Sequence, residues 1–464
     1  MSTSEVPLPT MGPIDPTLAL KISVSFVAIY LFYGLAKQIY VAFLGPLSKF
    51  PGPKLRAFSI IPMIRTMQTG NDNINLPALH EKYGPIVRTS PNSLSFAEGA
   101  QAWKDIYGFR KAGRPALVKD RMFYGRPINK VDSIITADDA NHSRQRKILS
   151  NAFSDRALKE QEPMIKHWAE KLKNKLHERA QSGEDTDMLK MYNCTTFDVM
   201  GDLTFNEGLG MLDGSEYSPW VKSIFAGIKA ATFIRGIKIY NRFTRYLVDE
   251  WLLNNDTVRR KQLEHWNYSK DRVDRRLKRT PERPDLWTKI LEKSEGPDGL
   301  ILEEHHSIAS LFMVAGTETT ATALSGTTYH LLQNPDTMKK LTEELRANFE
   351  TFDDLNLEAL AQLKYLMAVL HEGLRMYPPV PISLPRVVPE GGAAICGEFV
   401  PQGTSVGVHQ YSTYMREQNF KKPYEFHPER WLGDPEFKDD HLDALEPFSV
   451  GPRNCLGKVR LSLS

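Results

Sequence analysis

Cysteine is scarce in this chain. Three residues, Cys194, Cys396 and Cys455, are scattered through 464 positions. So few, odd in number and far apart, they argue against a disulfide scaffold and for a reducing compartment. Linkers are missing too, since no Gly/Ser-rich stretch, internal repeat or low-complexity block divides the sequence. One large domain is the simplest organisation for a chain with a 41% hydrophobic share. Charge of either sign is not in excess: 59 Lys+Arg against 56 Asp+Glu give +3, which carries no nucleic-acid character. Acids are absent from two stretches, Thr17 to Asn71 and Tyr217 to Val248.

The first acid-free stretch holds an apolar run. Ile22 to Ala36 has no charge, and Lys37 is the only charged residue between Ile22 and Leu47. A membrane-spanning helix needs roughly 20 mostly apolar residues. Lys37, Lys49, Lys54, Arg56 and Arg65 follow the apolar core, which places the rest of the chain in the cytosol. The expected division is a lumenal tail over 1–17, a transmembrane anchor over 18–47 and one domain over 48–464. A cleaved secretory signal is the rival reading, but Glu5 and Asp15 stand where its basic leader belongs. Phe50-Pro51-Gly52-Pro53 then makes a stiff elbow that orients the domain.

The second acid-free stretch, Trp220 to Phe243, is apolar and basic at once. Val221, Ile224, Phe225 and Ile228 recur at helical spacing among Lys222, Lys229, Arg235, Lys238 and Arg242. It reads either as a membrane-surface segment or as a core-facing helix with solvated lysines. The Lys270 to Arg283 charge run reads as solvated surface.

Helical apolar spacing covers 142–153, 160–180, 301–332, 335–349 and 357–376. Strand-like pieces are short, at 86–89, 93–96, 387–388 and 405–408. The fold class expected is mainly α with small β-sheets.

Near the end stands Phe448-Ser449-Val450-Gly451-Pro452-Arg453-Asn454-Cys455-Leu456-Gly457. Gly451 and Gly457 permit a sharp turn and close backbone approach to a flat ligand. Arg453 supplies a cation for a carboxylate at that ligand's edge. These are the requirements of a thiolate axial ligand to haem iron, with Cys455 as the ligand. The run resembles the haem loop of the cytochrome P-450 family of haem-thiolate monooxygenases.

Other segments fit the same family in order. Glu372-Gly373-Leu374-Arg375 matches its E-x-x-R pair, three residues apart on one helix face. Pro428-Glu429-Arg430-Trp431 supplies the second arginine. The resemblance implies that Glu372, Arg375 and Arg430 form a buried structural triad behind the haem loop. Ala315-Gly316-Thr317-Glu318-Thr319 matches the family's A-G-x-[DE]-T run. Glycine and threonine are poor helix formers. A weak spot there would open an oxygen groove, with Glu318 and Thr319 relaying protons. Cations for the haem propionates are expected from Arg146, one turn after His142, and from Arg386 and Arg453. His142 stands where the family commonly has Trp.

The resemblance implies a membrane-anchored monooxygenase of the endoplasmic reticulum. Its cofactor is haem b. Its electrons come from NADPH through a cytochrome P-450 reductase, its substrate is an apolar small molecule, and no nucleic acid is involved. The run His142 to Ser154 looks most like filamentous-fungal members, many of which act in secondary metabolism on polyketides, terpenoids or alkaloids. Two other classes stay open: a haem-thiolate isomerase or dehydratase of the same fold, and a haem-free relic. The family continues past the haem loop with a long helix. Val459 to Ser464 lack that pattern, and a read-through intron beginning at the Val459 codon is the expectation. Asn193-Cys194-Thr195 is a sequon that a cytosolic domain would leave unused.

Overall fold

The computed structural model describes residues 15–109, 116–125 and 127–458. The expected lumenal tail lies almost wholly outside the described residues, and the Val459 to Ser464 segment lies entirely outside them.

Helix α1 (Pro16–Phe43) is capped by Asp15, whose carboxylate accepts the Thr17 N–H at 2.9 Å. Its side chains are exposed along almost the whole length, and it is long and apolar enough to cross a membrane. Its C-terminal carbonyls are not left to water. Buried Arg88 donates to Val41 O at 2.9 Å and Ala42 O at 3.1 Å, a cation at the negative end of the helix. The elbow is tied to the same residue. The Arg88 N–H donates to Pro51 O at 2.8 Å, and a Cβ on Gly52 would sit 2.5 Å from Arg88 O.

Helices α2 (Lys54–Phe58), α3 (Ile61–Gln68) and α4 (Asp72–Tyr83) lead to strands β1 (Ile86–Ser90) and β2 (Ser93–Phe96), then to α5 (Gly99–Tyr107). Strand β3 (Val118–Lys119), α6 (Arg121–Tyr124), α7 (Asp139–Leu149), α8 (Asp155–Ser182), α9 (Met188–Phe205) and α10 (Met211–Gly214) follow. Then come α11 (Pro219–Tyr240), α12 (Arg242–Leu247) and α13 (Asp256–Leu277). Next come α14 (Leu286–Leu291), the 32-residue α15 (Leu302–Gln333), α16 (Pro335–Asn348), α17 (Leu357–Leu360) and α18 (Lys364–Met376). Strands β4 (Arg386–Val387), β5 (Ala393–Ile395), β6 (Glu398–Val400) and β7 (Ser405–Val408) precede α19 (Gln410–Tyr414). Short 3-10 turns, including Pro428–Leu432 and Gly451–Arg453, carry the rest.

The strands form a five-stranded sheet ordered β1-β2-β7-β4-β3 and a β5-β6 hairpin. Among the described strands only β2 and β7 pair in parallel; Leu94 stands opposite Val406 and Phe96 opposite Val408. The main core lies between α9 and α15, where Phe197, Ile308 and Met313 are fully buried beside Trp287. A second cluster, with Phe96, Trp103 and Val408, fills the space under the sheet. A third joins α18 to the segment after α19 through Val369, Tyr414 and Phe420.

The mainly α fold with small sheets is as expected, but details differ. The single helix expected at 357–376 is two. Leu363 turns extended (φ −76°, ψ 108°) between them, and Asn356 caps the first through the Ala359 N–H. The basic run at 270–283 is not merely solvated. Arg276 is buried and donates to the Asp285 carboxylate at 2.8 Å, while Arg275 and Arg279 pair with Glu207. Helix α11 answers both readings of its segment. Trp220, Val221 and Ile224 face the core, whereas Phe233, Tyr240 and, past Asn241, Phe243 are exposed. Asn193 of the sequon is buried in α9 and donates to Leu189 O, so its amide is engaged within the fold.

Candidate active site

The loop around Cys455 is shaped by two left-handed residues, Ser449 (φ 58°) and Gly451 (φ 78°). Glycine is required at 451 for a second reason. A Cβ there would lie 2.0 Å from Tyr107 O at the end of α5. The Cys455 N–H donates to Phe448 O at 2.9 Å and closes the loop on itself. The backbone N–H groups of Gly457 and Lys458 act on the sulfur and favour its thiolate. Burial pushes the thiol pKa up; those N–H groups and Arg146 oppose it. Cys455 nevertheless keeps an exposed face. Leu456, next in sequence, packs against the core that holds Phe312 and Met313 of α15.

Cations gather beside this loop. Arg453 donates to Ala137 O at 2.8 Å and to Asp139 at 2.9 Å, but its other terminal nitrogen, Nη1, is buried without a partner among the described residues. Arg386 is buried on β4, stacks on the Tyr107 ring at 5.5 Å and also has an Nη1 without a partner among the described residues. Lys119 on β3 is desolvated and crowded by Arg386, Arg453 and Arg121, which pulls its pKa down to about 6. Burial, Arg453, Lys119 and Arg146 likewise hold His142 at about 4, so near neutral pH it is a neutral ring. Arg146 turns to Asn454, donating to its backbone and side-chain oxygens.

Helix α15 runs unbroken past Gly316, so the expected weak spot is not a break in the helix. The glycine serves packing instead: a Cβ there would lie 2.6 Å from the Met200 sulfur of α9. Each threonine hydroxyl folds back on the preceding turn. Thr319 donates to Ala315 O at 2.6 Å and Thr320 to Gly316 O at 3.0 Å. Desolvation raises the Glu318 carboxyl above its ordinary value.

Behind the loop lies a buried ionic network. Glu372 and Arg375 on α18 are fully buried and paired, with contacts of 2.7 and 2.9 Å. Arg430 joins Glu372 at 3.1 Å. Burial alone would raise the Glu372 pKa, but Arg375, Arg430 and the His427 N–H bring it below the ordinary value. Two partners were not anticipated. Trp431 Nε1 donates to Glu372 at 3.0 Å, and Asp440 accepts from Arg430. Asp440 makes the charge even, two guanidinium groups against two carboxylates, in a fully buried site.

Comparison with known proteins decides the family. A family model described as Cytochrome P-450 matches residues 51–459. The chain belongs to that family. It is 50% identical over 438 residues to the cytochrome P-450 monooxygenase efuB of Hormonema carpetanum, covering 93% of this chain and 86% of that protein. It is 40% identical over 436 residues to the monooxygenase lcsI of Purpureocillium lilacinum, covering 93% and 84%. It is 38% identical over 431 residues to averantin hydroxylase of Dothistroma septosporum, covering 92% and 80%.

The residues of this cytochrome P-450 suit a haem. A patch with surplus positive charge and two orphaned guanidinium nitrogens is what a ligand with two carboxylates would complete. An exposed cysteine whose sulfur is influenced by two backbone N–H groups suits an axial ligand. Lys119 was invisible in the sequence, since a lone lysine in a two-residue strand carries no motif. Only β3 pairing with β4, Lys119 opposite Arg386, brings it to the patch.

Proposed function

We propose that this monooxygenase inserts one oxygen atom of O2 into a C–H or C=C bond of an apolar small molecule in fungal secondary metabolism. Electrons come from NADPH through a reductase partner, at the cytosolic face of the endoplasmic reticulum. The observation that carries the reading is the Cys455 sulfur with its N–H donors beside an under-neutralised cation patch. Haem b would be held by Cys455 and by Arg453, Arg386, Arg146, His142 and Lys119, and would supply dioxygen binding and reduction.

The protein's own share is positioning and proton supply. Phe448 and Gly451 fix the loop, and Gly457 offers its N–H to the sulfur. The Glu372–Arg375–Arg430 network holds the segment leading into that loop. Thr319 donates its hydroxyl hydrogen bond to Ala315 O, which leaves its lone pairs to accept from a water; passing a proton on requires the hydroxyl to rotate off Ala315 O. Glu318, its pKa raised by burial, keeps a proton closer to neutral pH than an ordinary carboxyl. Adjacent helix residues diverge by about 100°, so a water must bridge the two groups.

Helix α1 anchors the enzyme. A second contact with the bilayer is offered by Phe233, Phe243, Tyr246 and Trp251, exposed among Lys229, Arg242 and Arg245. The test is reconstitution of the full chain with a reductase and a panel of apolar substrates. NADPH-dependent uptake of one 18O atom from 18O2 supports the proposal. Turnover without NADPH would assign an isomerase or dehydratase instead.

A further inference from the structure

Three helices meet at the ring of His265 on α13. Trp220, in the first turn of α11, donates its indole N–H to His265 Nδ1 at 3.0 Å, and the two ring planes lie 13° apart. On the other edge of the imidazole, Nε2 stands 2.8 Å from Ser310 Oγ and 3.2 Å from Ser310 O on α15. The indole is buried, with Tyr268 of α13 stacked on it at 4.0 Å and Phe197 of α9 edge-on to it. These contacts fix the proton count of the imidazole. An indole nitrogen only donates, so Nδ1 must present its lone pair. A neutral ring carries one N–H, which is therefore on Nε2 and points at Ser310. A second proton has only Nδ1 to go to, where it would face the Trp220 N–H donor to donor. The imidazolium ring cannot keep the bond to α11. Burial also opposes the charged ring and holds its pKa below the ordinary 6.5. Charged groups on the surrounding helices are engaged elsewhere or exposed. His306 of α15 pairs with Asp274 at 2.6 Å, which also holds Lys270. Glu207 of α9 pairs with Arg275 and Arg279, Arg272 lies over the Tyr268 ring at 3.9 Å, and Lys222 of α11 is exposed.

We propose that His265 is a positioning residue that seats α11 on α15 only while its ring is neutral, and that a second proton unseats α11. Ser310 lies about two and a half turns before Thr319 on an unbroken helix, and α11 carries exposed Phe233 toward its far end. The Trp220–His265–Ser310 strut thus couples the segment offered to the bilayer to the helix that carries Glu318 and Thr319. The unseated ring takes its proton at the ordinary value and the seated ring at a lower one. The seated form is therefore fully favoured above 6.5 and weakens as pH falls below it.

The experiment uses the full chain in lipid nanodiscs with nitrogen-15 tryptophan, the Trp220 indole signal being identified by its loss in Trp220→Phe. That N–H should be hydrogen-bonded at neutral pH and move to a free-indole position as pH falls below 6.5. Hydrogen exchange over α11, corrected for intrinsic rates, should rise about tenfold from about pH 7.5 to about pH 5.5, the factor that one pH unit below the ordinary value gives. His265→Gln keeps an acceptor for Trp220 and a donor for Ser310 but has no titrating group. It should hold α11 seated at both pH values and abolish the shift. His265→Phe should leave α11 unseated at both. A Trp220 signal that ignores pH, an acid shift that survives His265→Gln, or exchange over α11 that stays flat while the signal titrates overturns the proposal. So does rapid exchange over α11 at neutral pH in His265→Gln, which would show that ring shape rather than hydrogen bonding seats the helix.

Discussion

Replacing Glu372 with Gln should remove a large part of the stability of this protein. The Glu372 carboxylate accepts from Arg375 Nε and Nη2, Arg430 Nε, Trp431 Nε1 and the His427 N–H, at 2.7 to 3.1 Å. Glutamine keeps the shape, but its NH2 faces donors and its charge is gone. Two guanidinium groups, both 0% exposed, keep their backbone carbonyl partners but have Asp440 as the one remaining carboxylate among the described residues. Breaking a buried ion pair by removing one partner costs about 3–5 kcal/mol. That is a third or more of a typical stability of about 5–15 kcal/mol. The assay is urea unfolding of the full chain in detergent, followed by tryptophan fluorescence. Glu343→Gln is the control, because it and its partner Lys339 are both exposed and its loss should leave the midpoint unmoved. The network also sets a pH dependence. The folded Glu372 pKa is depressed, so its contribution is complete above the ordinary value of 4.5 and is lost as pH falls through the folded value. Glu372→Gln should flatten that acid limb. A loss below about 1 kcal/mol, or an unchanged acid limb, would refute the account of a coupled buried network.

Thr319→Ala should cut product formed per NADPH on the order of 10²-fold while NADPH oxidation continues, measured by paired product and cofactor assays. Gly451→Ala combines a left-handed φ with a Cβ 2.0 Å from Tyr107 O, and it should cost about 3 kcal/mol and lower the haem-to-protein ratio of purified enzyme. Arg88→Ala removes the donors to Val41 O and Ala42 O. Limited proteolysis of the membrane-bound enzyme should then cut faster within 44–53; an unchanged rate would show that Arg88 does not fix the anchor.

What could be read from the sequence is what short-range chemistry writes there. The loop from Phe448 to Gly457 is contiguous, so its turn, its N–H donors and its cysteine are visible in ten residues. Glu372 and Arg375 share one helix face and pair as their spacing implies. The strands at 93–96 and 405–408 came from apolar and β-branched runs and appear at those positions. Contacts between distant segments left no such mark. Lys119 reaches the cation patch only through pairing of β3 with β4. Asp440 and Trp431 enter the triad through a fold of the segment after α19, which has no periodicity. Gly316 looked like a helix breaker because propensity is a local quantity. Packing against Met200 decides its role instead. Helix α9 was missed because it is buried on most sides and its apolar residues form no stripe.

The central claim is that Cys455 ligates haem iron through its thiolate. The most direct measurement is the reduced carbon-monoxide difference spectrum of the 464-residue chain, beside Cys455→Ser. A strongly red-shifted Soret band in the parent chain, lost in the serine variant, is the predicted result. Haem bound without that shift, or a shifted band that persists in Cys455→Ser, would contradict it.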